Sequence, residues 1–224
     1  MKKILFSIIC GTLFLAGCKK DDAAPPSSLI TGKIVYNKLP LSVRSTGVEL
    51  ELWQYGYSTR IKIPIYVNQD GSYEAKVFDG NYKLTMLRGN GPWAEKTDSI
   101  DVALKGSTVI DITVDPYFVI SSSTFAKSGN AIAGTVSLQR VNTTRNLESV
   151  TLYVGQTMIT DQNNSGASVT RAASSITDLT QPISLSANIP AALAGKDYVY
   201  ARVGVRISGV GEQLYSVPME IKLK

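Results

Sequence analysis

The sequence predicts an all-β protein built as two tandem β-sandwiches. Three observations predict it. Apolar and polar residues alternate with period two along most of the chain, the mark of strands with one face buried and one in water. Short strand-like runs are punctuated at Asp70-Gly71 and Asp79-Gly80, and Asp-Gly is among the strongest local hairpin signals. The texture changes near Asp115-Pro116, from short strands before it to longer, Ser/Thr/Ala-rich ones after it.

The N-terminal element comes first. Met1-Lys2-Lys3 is a positive start, and Ile4 to Leu15 is a nearly unbroken apolar run. A membrane-spanning helix needs ~20 apolar residues, so the run is too short to span. Charge, length and small-residue finish predict a signal peptide over residues 1–17. The finish, Leu15-Ala16-Gly17-Cys18, resembles the bacterial lipobox, in which the cysteine is acylated and becomes the first mature residue. Several acyl chains hold a protein stably where one does not. The resemblance therefore implies that Cys18 anchors the chain to outer-membrane lipid. Residues 18–28 read as the lipidated cysteine and a tether. The stretch from Lys19 has no hydrophobic period and contains Pro25 and Pro26. Fully extended, it would reach up to ~33 Å. Within it, Lys20-Asp21-Asp22 resembles the Lys-acid-acid export signal of Bacteroidota surface lipoproteins, which implies a position facing the cell exterior.

Residues 29–116 form the first predicted sandwich. Val48, Leu50 and Leu52 alternate with Glu49, Glu51 and Trp53. Ile61, Ile63, Ile65 and Val67 alternate with Lys62, Pro64 and Tyr66. Tyr73, Ala75 and Val77, then Ile100, Val102 and Leu104, then Ile110, Ile112 and Val114 repeat the pattern. Residues 117–224 form the second. Phe118, Ile120 and Phe125 open it, and Val136 and Leu138, Val150 to Val154, and Ile183 to Ile189 follow. Val199, Ala201, Val203, Val205 and Ile207 make its longest alternating run, and Val217 to Leu223 closes the chain. Only Pro190 to Leu193 reads as a helical turn. Asp161 to Ser168 reads as a polar, mobile loop.

Composition excludes several chemistries. The chain has no histidine, so Ser-His-Asp and Cys-His catalysis are closed to it, and the commonest zinc ligand is missing. Its two cysteines, Cys10 and Cys18, fall in the signal peptide and at the lipid site, leaving no disulfide or free thiol in the body. Loss of Lys2 and Lys3 lowers the formal charge from +5 to +3, spread without a basic block, so nucleic acid is not an expected partner. No cofactor or metal is expected.

"LWQYGY" at Leu52 to Tyr57, "NQDGSYEAKVFDGNYKLTMLRGNGPW" at Asn68 to Trp93 and "DPYFVI" at Asp115 to Ile120 carry a wider likeness. With them the chain resembles a family of Bacteroidota lipoproteins found beside starch-utilisation-type glycan uptake systems. The resemblance implies a transthyretin-like (prealbumin-like) first domain and an immunoglobulin-like second one. It implies no catalytic residues. Within the second domain, Leu193 to Tyr198 resembles the approach to the tyrosine corner of a fibronectin type III module. If Tyr198 points inward, strict alternation turns Tyr200 and Arg202 inward and the valines outward. Either a bulge resets the register or the likeness is architectural only.

The candidate binding residues are aromatic. Trp53, Tyr55 and Tyr57 share the parity of Glu49 and Glu51, opposite the core-facing Val48, Leu50 and Leu52. An exposed aromatic row is flat, apolar and edged by hydroxyls and acids, which suits the face of a sugar. Asn90 and Trp93 form a second candidate, in a loop held by Gly89, Gly91 and Pro92. The competing reading tucks Trp53 under a crossing loop and makes Trp93 a cap on the open end of the sandwich. Tyr117 and Phe118, just past the boundary, read as domain-interface residues.

Three functions compete. The first is a non-catalytic glycan-binding or accessory lipoprotein of an uptake complex, working with its transporter and lid lipoprotein. The second is a pilin-like or adhesin subunit joined by strand donation, for which Val217 to Leu223 is the candidate strand. The third is a glycosidase. It needs two carboxylates across a cleft, one with its pKa raised, and Asp98 and Asp101 near Trp93 are the nearest approach. Asp70 and Asp79 sit where turns want aspartate, and neither turn carries the acid-rich loop that calcium requires.

Overall fold

The computed structural model describes residues 24–56 and 58–224. In the first domain the strands are β1 (Ser28–Tyr36), β2 (Leu39–Pro40), β3 (Glu49–Gln54), β4 (Lys62–Tyr66), β5 (Ser72–Val77), β6 (Gly80–Met86), β7 (Ile100–Leu104), β8 (Ser107–Val109) and β9 (Ile112–Thr113). They make two sheets. In one, β1 pairs antiparallel with β2 and β5 and parallel with β8 and β9. The other is antiparallel, in the order β4-β3-β6-β7. Period-two patterning sets which face of each strand is buried. Tyr73, Ala75 and Val77 of β5 are buried while Glu74 and Lys76 are in water. Leu50 and Leu52 of β3 are wholly buried with Ile30 and Ile34 of β1. Burying each such side chain contributes ~1.5–3 kcal/mol.

Both Asp-Gly pairs depart from expectation. Neither closes a hairpin between paired strands. Asp70-Gly71 carries the chain from β4 in one sheet to β5 in the other, and Asp79-Gly80 carries it back from β5 to β6. The chemistry of the turns is still what recruits these residues. Asp70 Oδ1 accepts from Ser72 N (3.0 Å), and Gly71 takes φ +82° where a Cβ would meet Leu41 O at 2.4 Å. Asp79 Oδ1 accepts from Ser28 Oγ and from Gly106 N, tying the two sheets together at one end.

The second domain contains β10 (Phe118–Ser128), β11 (Ala131–Arg140), β12 (Leu147–Gly155), β13 (Ala167–Ala172), β14 (Ile183–Asn188), β15 (Tyr198–Ile207), β16 (Leu214–Tyr215) and β17 (Met219–Lys222). A single-turn helix, α1 (Ala191–Ala194), follows Pro190. The sheet β10-β11-β14 faces the sheet β13-β12-β15, to which β16 and β17 are added on the β15 edge. The valines of β15 point into this sandwich: Val199, Ala201, Val203, Val205 and Ile207 are all fully buried. Tyr198 faces out, 44% exposed, with its ring edge-on to Tyr200. The pairing of β15 with β12 runs unbroken from Tyr200 to Arg206, so no bulge turns Tyr198 inward. The likeness to a tyrosine corner is therefore architectural only.

The outer face of β12 and β15 is also covered, and this is what joins the domains. Arg202 is fully buried there. Its guanidinium donates to Ser216 O (2.7 Å) and, across the domain boundary, to Val43 O (2.7 Å) and Gln69 O (3.2 Å). The same group lies 4.5 Å from the centroid of the Tyr215 ring. Burial lowers the Arg202 pKa to about 10, which still leaves it charged at neutral pH. Arg44 and Glu212 form a second cross-boundary pair, and Tyr215 N donates to Ser42 O (2.9 Å). The first two residues of the Asp161 to Ser168 loop pack onto this face, while Asn163 to Gly166 are exposed. Asp161 is 1% exposed and caps its own turn, accepting from Asn163 N (2.8 Å) and Asn164 N (3.0 Å). Gln162 Oε1 accepts from Arg206 (2.9 Å) and Gln213 (2.8 Å).

Candidate functional site

The solvent face of the sheet β4-β3-β6-β7 carries the first aromatic candidates. Residues 49, 51 and 53 of β3 point away from the core because Leu50 and Leu52 point into it. The cross-strand register then sets the neighbours. Trp53 lies between Lys62 of β4 and Lys83 of β6, and Lys83 in turn pairs with Asp101 of β7. One register step along, Glu51 lies between Pro64 and Thr85; beyond it, Glu49 lies opposite Tyr66.

Trp53 is half-buried, with its indole N–H directed at Glu51 Oε2 (3.3 Å), two residues along the same face. Tyr55 and Tyr66 are each about half exposed, at 49% and 50%. Lys62 Nζ donates to Glu49 (2.8 Å) and Glu51 (3.0 Å), and those carboxylates raise its pKa. Lys83 Nζ donates to Asp101 (2.9 Å) and sits 5.7 Å from the Tyr55 ring centroid. The hydrogen bond from Lys83 holds the Asp101 carboxyl below its usual range. Beside Trp53 the face deepens into a groove of about 370 Å³, whose lining includes Glu51, Arg88, Lys96 and Asp98. The arrangement offers flat apolar rings, hydroxyls, and carboxylates able to accept from a polyol.

The second candidate does not join this face. Trp93 is 5% exposed and belongs to the core, which corrects the expectation of an exposed loop aromatic. Its backbone bridges Pro116 at the boundary between the domains, and Ala94 N donates to Asp115 O (2.9 Å). The indole folds back over Gly91, where a Cβ would lie 2.2 Å from the ring. Thus the glycines of this loop make room for a buried tryptophan. Asn90 is likewise occupied. Its Nδ2 donates to Gly47 O (3.0 Å) and its Oδ1 accepts from Glu49 N, so both ends of the amide hold the entry to β3. Tyr117 and Phe118 are buried at the domain boundary, where Tyr117 N donates to Pro92 O (3.3 Å).

Tyr57, Cys18, Lys20, Asp21 and Asp22 lie outside the described residues. Asp98 and Asp101 are both exposed, and Asp101 is held ionised, the opposite of what a general acid needs. Val217 to Leu223, the candidate donor strand, contains β17, which pairs with β15 from Ala201 to Tyr198. Among the described residues no three His, Cys, Asp or Glu side chains are grouped to hold a metal. Sequence reasoning missed Tyr66, Lys62 and Lys83 as members of the aromatic face. Parity placed Tyr66 and Lys62 on a solvent face, but only the pairing of β4 and β6 with β3 brings all three beside Trp53.

Two family profiles match the chain. Residues 28–115 match the "Protein of unknown function (DUF3823) N-terminal domain", and residues 118–219 match the companion "Domain of unknown function (DUF3823_C)". A DUF3823 family protein of Bacteroides ovatus is 36% identical, covers 88% of this chain and 100% of its own, and superposes with a TM-score of 0.81. The chain belongs to the DUF3823 family. A second DUF3823 member, from Parabacteroides merdae, is 32% identical over 88% of this chain and 100% of its own, with a TM-score of 0.80. A Bacteroides uniformis structure described as a "putative carbohydrate binding protein" shares the DUF3823 chain's fold at 22% identity. It has a TM-score of 0.73 over 88% of this chain and 100% of its own. No curated protein is significantly similar to the chain.

Proposed function

We propose that this DUF3823 chain is a non-catalytic, lipid-anchored outer-membrane protein that binds glycan for a polysaccharide-uptake system. The observation that carries the binding reading is the solvent face around Trp53. There Tyr55 and Tyr66 stand half-exposed among Glu49, Glu51 and Asp101. Large aromatics left in water on a rigid sheet are costly unless something covers them. Rings edged by carboxylates suit the two sides of a pyranose, its C–H face and its hydroxyl rim. The carbohydrate-binding description of the B. uniformis structure supports the same reading. The anchor reading rests on Leu15-Ala16-Gly17-Cys18, and the outward-facing one on Lys20-Asp21-Asp22. The transporter and lid lipoprotein of a starch-utilisation-type complex are the proposed partners.

Calorimetric titration of the full chain in sugar-free detergent against plant, mucin and microbial oligosaccharides tests the binding reading. Saturable binding of one class is expected, and Trp53→Ala should weaken it at least tenfold, ~1.4 kcal/mol. No binding across the panel would overturn it. Metabolic labelling with an alkynyl palmitate tests the anchor. Label should enter the wild-type chain and be absent from Cys18→Ala.

A further inference from the structure

The two domains meet around a cleft of about 520 Å³. The first domain lines it with the turn from β1 to β2 and the residues after it, the second with Val119 to Ser123 of β10, Gln139 of β11 and Leu214 to Val217. Its floor is the joint itself. Leu41, Ser42, Leu214 and Tyr215 are buried there, and Tyr215 N donates to Ser42 O at 2.9 Å. Small-molecule sites of this size form preferentially where domains meet. Charge sets the cleft apart. Among the described residues none that lines it is charged. The groove beside Trp53 carries Glu51, Arg88, Lys96 and Asp98, and a groove of equal volume beside β1 and β5 carries Lys33, Lys38, Glu74 and Asp111. The cleft has uncommitted polar side chains instead. Tyr36, Asn37, Ser122, Ser123 and Gln139 line it, and among the described residues none of their side chains makes a hydrogen bond. Apolar surface flanks them: Leu39 and Val217 are 69% and 70% exposed, and Val119 and Ile120 are half-buried.

We propose that this cleft is a second binding site, which takes a short neutral oligosaccharide and touches it from both domains. It shares no residue with the groove beside Trp53, so either site can exist without the other. Hydroxyls and carboxamides both donate and accept, which is what each sugar hydroxyl needs from its surroundings. The apolar residues between them suit the C–H face of a pyranose. An ionised sugar would give up water for a site with no opposite charge to receive it. A wholly apolar ligand would cover five polar side chains and bond none of them. A partner strand would find a poor edge on either side. Strand β2 is two residues long and its Pro40 has no N–H to offer, while the register of β10 against β11 shifts between Ile120 and Ser122.

Disaccharides test the cleft. The full chain in sugar-free detergent is titrated calorimetrically with cellobiose, maltose, xylobiose, mannobiose and galactobiose, with digalacturonate, and with an uncharged extended pentapeptide. At least one neutral disaccharide should bind saturably, and digalacturonate at least tenfold more weakly. That binding should persist in Trp53→Ala, which disables the outer face alone. It should fall at least tenfold in Ser123→Ala/Gln139→Ala, whose melting curve is recorded alongside. Asn37→Gly is a second probe. It removes the carboxamide and suits the positive φ of +49° at that position, and it should weaken the same disaccharide at least threefold. Binding that Trp53→Ala abolishes and the cleft variants leave unchanged would overturn the proposal and leave the outer face as the site. Failure of every neutral disaccharide, or digalacturonate binding as tightly as they do, would also overturn it. The peptide binding where no disaccharide does would make the cleft a strand acceptor and overturn the sugar.

Discussion

Asp101 shows how a single exposed carboxylate is tied into the face. Lys83 donates to it at 2.9 Å, and that hydrogen bond is the largest cause of its pKa falling below the ordinary 3.8. A carboxylate whose pKa is depressed on folding adds stability that is complete above its unfolded value and fades as pH drops through the folded one. The melting-temperature gap between wild type and Asp101→Asn should therefore stay constant from neutral pH down to about pH 4 and close below it. Persistence of the gap at about pH 2 would mean that the charge pair is not its source. The gap itself will be small, since both partners are wet and solvent and salt screen a surface pair.

At the scale of the element, strands were legible and their partners were not. Val48, Leu50 and Leu52 announce a half-buried strand because side chains alternate strictly, whatever the strand pairs with. Asp70-Gly71 and Asp79-Gly80 announce a reversal, because aspartate bonds the next backbone amides and glycine accepts positive φ. Whether a reversal stays in one sheet or crosses to the other is decided by distant β1 and β3, which local chemistry does not contain. A true two-residue hairpin, by contrast, carries no glycine. Asn37 and Lys38 join β1 to β2 with φ of +49° and +66°, the signs of a type I′ turn. Left-handed backbone costs a side-chain-bearing residue ~1 kcal/mol. Lys38→Gly should thus stabilise the protein by about 0.5–1 kcal/mol, read from the urea midpoint. A lower midpoint would mean that the lysine side chain outweighs the strain. Trp93 escaped its pattern for a related reason. Its loop is rich in glycine and proline, as exposed loops are, but Gly91 clears space for the indole and Pro116 closes over the backbone.

Across the whole molecule, the two sandwiches are joined through a wet-looking alternation that turns out to be dry. Tyr153, Arg202, Gln213 and Tyr215 lie on the outer side of their sheet, and the first domain and the Asp161 loop cover them. Arg202 was invisible as an interface residue because its parity marks it as solvent-facing, and only the docked domain removes the solvent. Arg202→Met would leave the buried carbonyls of Ser216 and Val43 and the part-buried one of Gln69 without their donor, a loss of about 3 kcal/mol. We expect the wild type to unfold in one calorimetric transition and the variant in two, the lower one shifted down. A single transition at the wild-type temperature in Arg202→Met would show that the domains are coupled elsewhere. The same joint has an optical consequence. The chain has two tryptophans, and the fold has put them in opposite media. Trp93, 5% exposed beside the joint, should emit to the blue and be deaf to iodide; Trp53, half in water, should emit to the red and be quenched by it. The molecule carries two built-in lamps, one reading occupancy of the outer face and the other the integrity of the seam.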